Sequence, residues 1–299
     1  MVAWGKGKMI LAWVLALISP LFYAGVNVYD KYIVERVAKH HLSYMVVEGG
    51  CFLSLAIMVG VFLDWSSFSF SSIIFPVITG LIYGGNTWWY YYLISKEDVS
   101  NVIGMMYIYP LFVSLMSFIL LKEVIPFLGY VGMILTIIGA VWISTRIERF
   151  NFKILGVLVL FILGVALGEF MIKIVTNNLP PLNGWVIGLI VSSLVTVIGI
   201  FFLSIRKNVK KDVVLFPIAM GGALITCVAS LALYFAIDYL PVTIVSAVGA
   251  TQPLFVVLTE RIVNLKLGII SKDLRLVHKL GAVILVVVGV ILIYASALL

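Results

Sequence analysis

Long apolar runs separated by short polar links make up most of the chain. The runs fall at about 9–32, 42–63, 73–94, 99–121 and 127–145, and after a polar link at 146–153 they resume at about 154–176, 184–205, 213–236, 241–262 and 279–298. Each is long enough to carry a helix across a hydrocarbon core roughly 30 Å thick. None shows the alternating pattern of a lipid-facing barrel strand, so the expected spans are helices that satisfy their own backbone groups. The pattern predicts an all-α integral membrane protein of about ten transmembrane helices.

The pattern also repeats. Tyr109-Pro110-Leu111-Phe112-Val113 returns 143 residues later as Gln252-Pro253-Leu254-Phe255-Val256, Phe75-Pro76 is echoed by Phe216-Pro217, and the Gly139 region by Gly289. Two related halves follow, 1–148 and 149–299, with five helices in each. An odd number per half inserts the second half upside down relative to the first, and inverted repeats of this kind hold a site between them.

Composition supports a membrane class: 63% of residues are hydrophobic and 11% charged, and the mean hydropathy is +1.21. The net charge of +7 resides in Lys and Arg between apolar runs, so it speaks of topology and lipid headgroups rather than nucleic acid. Counted by side, these charges place both termini outside. Lys6 and Lys8 precede a run too long for a signal peptide and lacking an Ala-x-Ala exit, so a first span is expected there. Cys51 and Cys227 fall inside apolar runs and form no disulfide framework. His40, His41 and His278 lie in links without acids or thiols at ligand spacing, so no metal or other cofactor is expected. There is no Gly-rich nucleotide loop, and no in-span histidine to activate a serine, which argues against an ATPase or an intramembrane enzyme.

Polar groups inside the runs are the candidates for function. Gly80, Gly84, Trp88 and Tyr92 form one face of the third helix, matched in the eighth by Gly222, Thr226, Ser230 and Tyr234. Such a face either lets helices approach or lines a cavity. In the cavity reading Trp88, Ser230 and Tyr234 meet solute; in the other, Trp88 joins Tyr90 and Tyr91 in an interfacial aromatic belt. Asn101, Met105, Tyr109 and Phe112 share a face of the fourth helix, where Pro110 frees a carbonyl one turn back. Gln252 stands at the place of Tyr109 in the second half. Glu169 and Lys173 lie one turn apart in the order that favours an ion pair, and the repeat sets Asn27 and Lys31 at the matching places. An in-span charge is costly unless it faces protein or water, so Glu169, Lys173 and Glu48 are candidates for ion coupling, with snorkelling as the other reading of the lysines. Gly129, Gly132, Gly139, Gly281 and Gly289 suit either a homodimer face or packing within one chain.

Tyr91-Tyr92-Leu93, a short turn, a small and polar helix start, then Pro110 and Leu121-Lys122-Glu123 before a glycine-rich helix resemble the drug/metabolite transporter superfamily, in particular its EamA-like members. The second half departs at one point: Lys266, not an acid, stands thirteen residues after Pro253. The resemblance implies ten helices in two repeats with cytoplasmic termini. The expected function is secondary transport of a small metabolite such as an amino acid, as an exporter in the cell membrane, through a pocket formed by Trp88, Asn101, Tyr109, Ser230, Tyr234 and Gln252. A lipid-modifying enzyme or a lipid-linked sugar flippase is the alternative.

Overall fold

A computed structural model describes residues 6–66, 69–143, 152–267 and 276–297. The described residues are 88% helical, without strands. In chain order the helices are α1 (Lys6–Arg36), α2 (His41–Gly60), α3 (Ile74–Ile94), α4 (Val99–Met106), α5 (Tyr109–Met116), α6 (Phe127–Ile143), α7 (Phe152–Asn178), α8 (Pro181–Val197), α9 (Leu203–Asp212), α10 (Phe216–Tyr239), α11 (Val242–Gly249), α12 (Gln252–Leu267) and α13 (Leu276–Ser296). Six stretches are long and apolar enough to cross a membrane: Gly7–Arg36, His41–Gly60, Asn101–Leu121, Phe152–Asn178, Ile205–Tyr239 and Val242–Val263.

Local chemistry sets the boundaries. Pro110, Pro181 and Pro217 each sit in the first turn of a helix, where the missing N–H costs nothing. His40 caps α2 by accepting the Leu42 N–H through Nδ1 at 3.2 Å. Lys122 adopts the left-handed conformation, φ 55°, and ends the π turn that follows α5. The short basic helix α9 stands where the hydropathy pattern shows only a link. Asp212 at its end accepts the Lys39 N–H at 3.1 Å and the Ser43 hydroxyl, which fastens α9 to the start of α2.

Two spans expected to be continuous are each built from two helices. The fourth run stops at Met106 and restarts at Tyr109; the ninth stops at Gly249 and restarts at Gln252. In both, the restart lies one residue before the proline of the repeated pentapeptide, so the proline starts a new helix rather than kinking an old one.

Large apolar side chains cover the outside. Ile10, Leu11, Val14, Leu17 and Leu21 are exposed on α1, and Leu155, Val159, Leu160, Leu163 and Leu167 on α7, whereas Asn27, Asp30, Lys31, Glu48, Asn86 and Glu169 are buried. Apolar outside and polar inside is the arrangement a lipid solvent selects. The most extensive helix packings join one half to the other: α6 with α13, α1 with α10, α3 with α8, α2 with α8, and α3 with α7.

Glycines make the closest of these contacts. A Cβ on Gly132 would lie 2.5 Å from Gly289 O, and one on Gly139 would lie 2.7 Å from Ala282 O. The glycines offered as a dimer face are therefore used between α6 and α13 of the same chain, and a homodimer draws no support from them. Gly80 and Gly84 do the same for α3 against α8, at 2.6 Å from Gly188 O and 2.8 Å from Ser192 O.

Candidate functional site

A cavity of about 280 Å³ lies among α1, α2, α3, α7, α8 and α10 and the two helix breaks. It receives side chains from both halves, and the breaks face each other across it. The Tyr107 hydroxyl donates to Gln252 Oε1, joining the end of α4 to the start of α12. The Tyr107 and Tyr109 rings lie 5.4 Å apart, and a Cβ on Gly249 would come within 3.0 Å of the Tyr109 hydroxyl. Gly249 therefore lets the last turn of α11 approach these rings.

Glu169 on α7 forms one polar centre. The Tyr109 hydroxyl lies 2.7 Å from Oε1, and Ser246 Oγ lies 2.6 Å from Oε2. Ser246 Oγ is also 2.8 Å from Val242 O, one turn back on α11. The carboxyl is buried, with 5% of its surface exposed.

Asp30 on α1 and Glu48 on α2 form a second centre. The Tyr90 hydroxyl lies 2.9 Å from Asn27 Oδ1 and 3.1 Å from Asp30 Oδ2, and the Tyr91 hydroxyl bonds Glu48 Oε2. Both acids are buried, at 3% and 4% exposed. Asp30 Oδ1 and Glu48 Oε1 have no hydrogen-bond partner, and neither has Thr226 Oγ1 on α10. On the same helix Ser230 Oγ accepts the Trp185 indole N–H at 2.8 Å.

The two in-span lysines take matching roles outside the cavity lining. Lys31 Nζ donates to Ile94 O and Glu97 O, at 2.7 and 2.8 Å, at the end of α3, and Lys173 Nζ donates to Ile237 O and Leu240 O, at 2.9 and 3.2 Å, at the end of α10. Each closes a helix C-terminus, where a cation meets unpaired carbonyls and the negative end of the dipole. Lys31 also pairs with Glu35 at 2.7 Å, and Lys173 with Glu123 at 3.7 Å. Glu123 in turn accepts the Val242 N–H at the start of α11, at 3.2 Å. Burial raises the Glu123 carboxyl above its usual range, and Lys173 and that N–H work against the rise.

Six residues singled out from the sequence line the cavity: Tyr109, Gln252, Ser230, Tyr234, Glu169 and Glu48. Three do not. The Trp88 indole donates to Val195 O at 3.3 Å and its ring meets Phe202, because the glycine face it follows packs on α8. Asn101 lies in the first turn of α4, about 9 Å along the chain's axis before Tyr107, at 1.5 Å per residue. Lys173 is directed to the end of α10, so the expected pair with Glu169 is replaced by contacts to Ile237, Leu240 and Glu123. Neither lysine snorkels; Lys31 is only 8% exposed. Sequence reasoning missed Asp30, which shares a helix face with Asn27 three residues earlier, and it assigned Tyr90 and Tyr91 to a surface belt although both line the cavity.

Known proteins resemble this chain in two ways. Residues 10–145 match the model of the EamA-like transporter family. Among solved structures 23 chains match, and one crystal structure covers 96% of each chain with a TM-score of 0.61 at 16% identity, which speaks to the fold alone. No curated protein matches. Buried carboxyls beside paired helix breaks and apolar outer faces agree with a multi-pass membrane protein, and its residues 10–145 are similar to the EamA-like transporter family.

Proposed function

We propose that the chain is a secondary transporter of a small metabolite in the cell membrane, not an enzyme, and that it works as an exporter by rocking two inverted repeats about the cavity. Six long spans, the shorter apolar helices Phe127–Ile143, Pro181–Val197 and Gly281–Ser296, and α3 would make ten crossings. The observation that carries the reading is the pair of helix breaks. They fall at equivalent places in the two halves and meet at the cavity, as discontinuous helices do around carrier sites. The cross-half packing supports the repeat, since α1 on α10 is mirrored by α7 on α3, and Lys31 at the end of α3 by Lys173 at the end of α10.

Glu169 is the group we assign to proton coupling. A serine hydroxyl has one proton, yet Ser246 Oγ contacts both Val242 O and Glu169 Oε2. Both contacts are satisfied together when Glu169 carries a proton and donates it to Ser246. The acid can release that proton when the cavity opens to water on one side and take one from the other.

Counterflow in proteoliposomes tests the reading. Labelled solute outside should accumulate transiently when unlabelled solute is trapped inside, with no chemical change in the label. Conversion of the label into product, or binding without any exchange, would sink the carrier assignment.

A further inference from the structure

The charge around the cavity has one sign. Asp30, Glu48 and Glu169 line it, and among the described residues no Lys, Arg or His does. The two basic residues buried nearby, Lys31 and Lys173, are held by main-chain carbonyls and by Glu35 and Glu123. The acids themselves differ. Both oxygens of Glu169 already have hydroxyl partners, so neither is left unpaired. Asp30 and Glu48 each have one oxygen held by a tyrosine, Tyr90 or Tyr91, and one oxygen with no partner. The held oxygen fixes the orientation of each carboxyl, and the other is a buried acceptor left unused.

A buried acceptor without a donor is costly, and two beside each other are more so. Gly222 on α10 stands beside this carboxyl of Glu48; a Cβ there would lie 3.7 Å from Oε1, at ordinary contact distance. Thr226 Oγ1, one turn further along α10, is a third unpaired oxygen. Aromatic rings surround this end: Tyr90 and Tyr91 lie 5.2 Å apart at 75°, Tyr44 packs edge-on to Tyr91 at 5.9 Å, and Phe161 stacks on Tyr90 at 6.2 Å. Ring faces attract cations, and a primary ammonium carries three donors for unused oxygens.

We propose that Asp30 and Glu48 receive the ammonium head of an organic cation, whose apolar body lies along the tyrosine-lined remainder of the cavity. The inference rests on the reading of this cavity as the solute site. A carboxylate or phosphate would meet three acids and no base here. A neutral solute would leave the two acids without a counter-charge. The solute class is therefore an amine without a compensating acid group.

The purified full chain in detergent is the test object, read by thermal shift and by equilibrium binding. The probes are 2-phenylethylamine and tetraethylammonium as cations, 2-phenylethanol as the neutral isostere, free phenylalanine as the zwitterion, and sodium chloride alone. 2-Phenylethylamine should raise the melting temperature, tetraethylammonium should raise it less because it has no N–H to give the unused oxygens, and the other three should not. Asp30→Asn and Glu48→Gln keep the shape of each side chain, and each should weaken cation binding roughly ten- to a hundredfold, the worth of a charge-assisted bond. The wild-type comparison of amine with alcohol stands even where a variant fails to fold. The proposal is overturned if neither cation binds, if phenylalanine binds as well as the amine, if sodium alone gives the shift, or if folded Asp30→Asn and Glu48→Gln variants bind the amine undiminished. Cation binding without counterflow would sink the carrier reading and leave this site standing. Counterflow of a zwitterion that ignores both substitutions would do the reverse.

Discussion

Lys173 could neutralise Glu169 only by giving up the carbonyls of Ile237 and Leu240. That trade is unfavourable, since those carbonyls end a helix and have no other backbone donor, and Glu169 is already served by Tyr109 and Ser246. Glu169→Gln should therefore abolish pH-driven accumulation of solute while keeping solute exchange, because rocking no longer awaits a proton. An unchanged pH dependence in a folded variant would refute the coupling role. Trp88→Ala should lower thermal stability by about 2 kcal/mol or more, because a large ring leaves its place against Val195 and Phe202, with solute affinity unchanged. A fall in affinity at constant stability would return Trp88 to the site. Residue types showed where charge was expensive and so pointed to Glu48 and Glu169. They did not show which way a side chain turns: Trp88 and Ser230 share a repeat position, yet one packs on α8 and the other lines the cavity. Asp30 was passed over because Asn27 and Lys31 flank it at the spacings that the repeat matched.

At the level of helices, the value of a glycine depends on what stands opposite it. Gly132 faces Gly289 O at a distance no Cβ tolerates, whereas Gly25 in α1 has open space around it. Gly132→Val should cost about 1–3 kcal/mol through overpacking of α6 on α13. Gly25→Ala should be neutral or add about 0.5–1 kcal/mol, since the helix gains propensity without a clash. Thermal unfolding of the two variants separates them, and equal melting temperatures would refute the packing account. The helices themselves were legible because lipid-spanning runs are long and apolar. The breaks were not, because a proline in mid-run reads equally well as a kink, and only the opposing Gly249 and the Tyr107 to Gln252 bond show that both runs restart there. Nor was α9 legible: ten residues rich in lysine between two apolar runs read as a link, although Ile205 and Val209, one turn apart, are buried.

The whole molecule is held together across its midpoint: the largest helix contacts pair an element of one half with an element of the other. During synthesis this has a price. Helices α1 to α6 are made before any of their main partners exist, with Asp30, Glu48, Asn86 and the Gly132 face open to lipid. Fragment 1–148 made alone should be retained by the insertion machinery or cleared by quality-control proteases. Made together with 149–299 from a second message, it should persist, copurify and regain the melting transition of the intact chain. A first fragment that accumulates stably by itself would show that the halves are self-sufficient. Otherwise the protein matures only when α13 closes onto α6, so its half-life in the cell is decided after both halves are made.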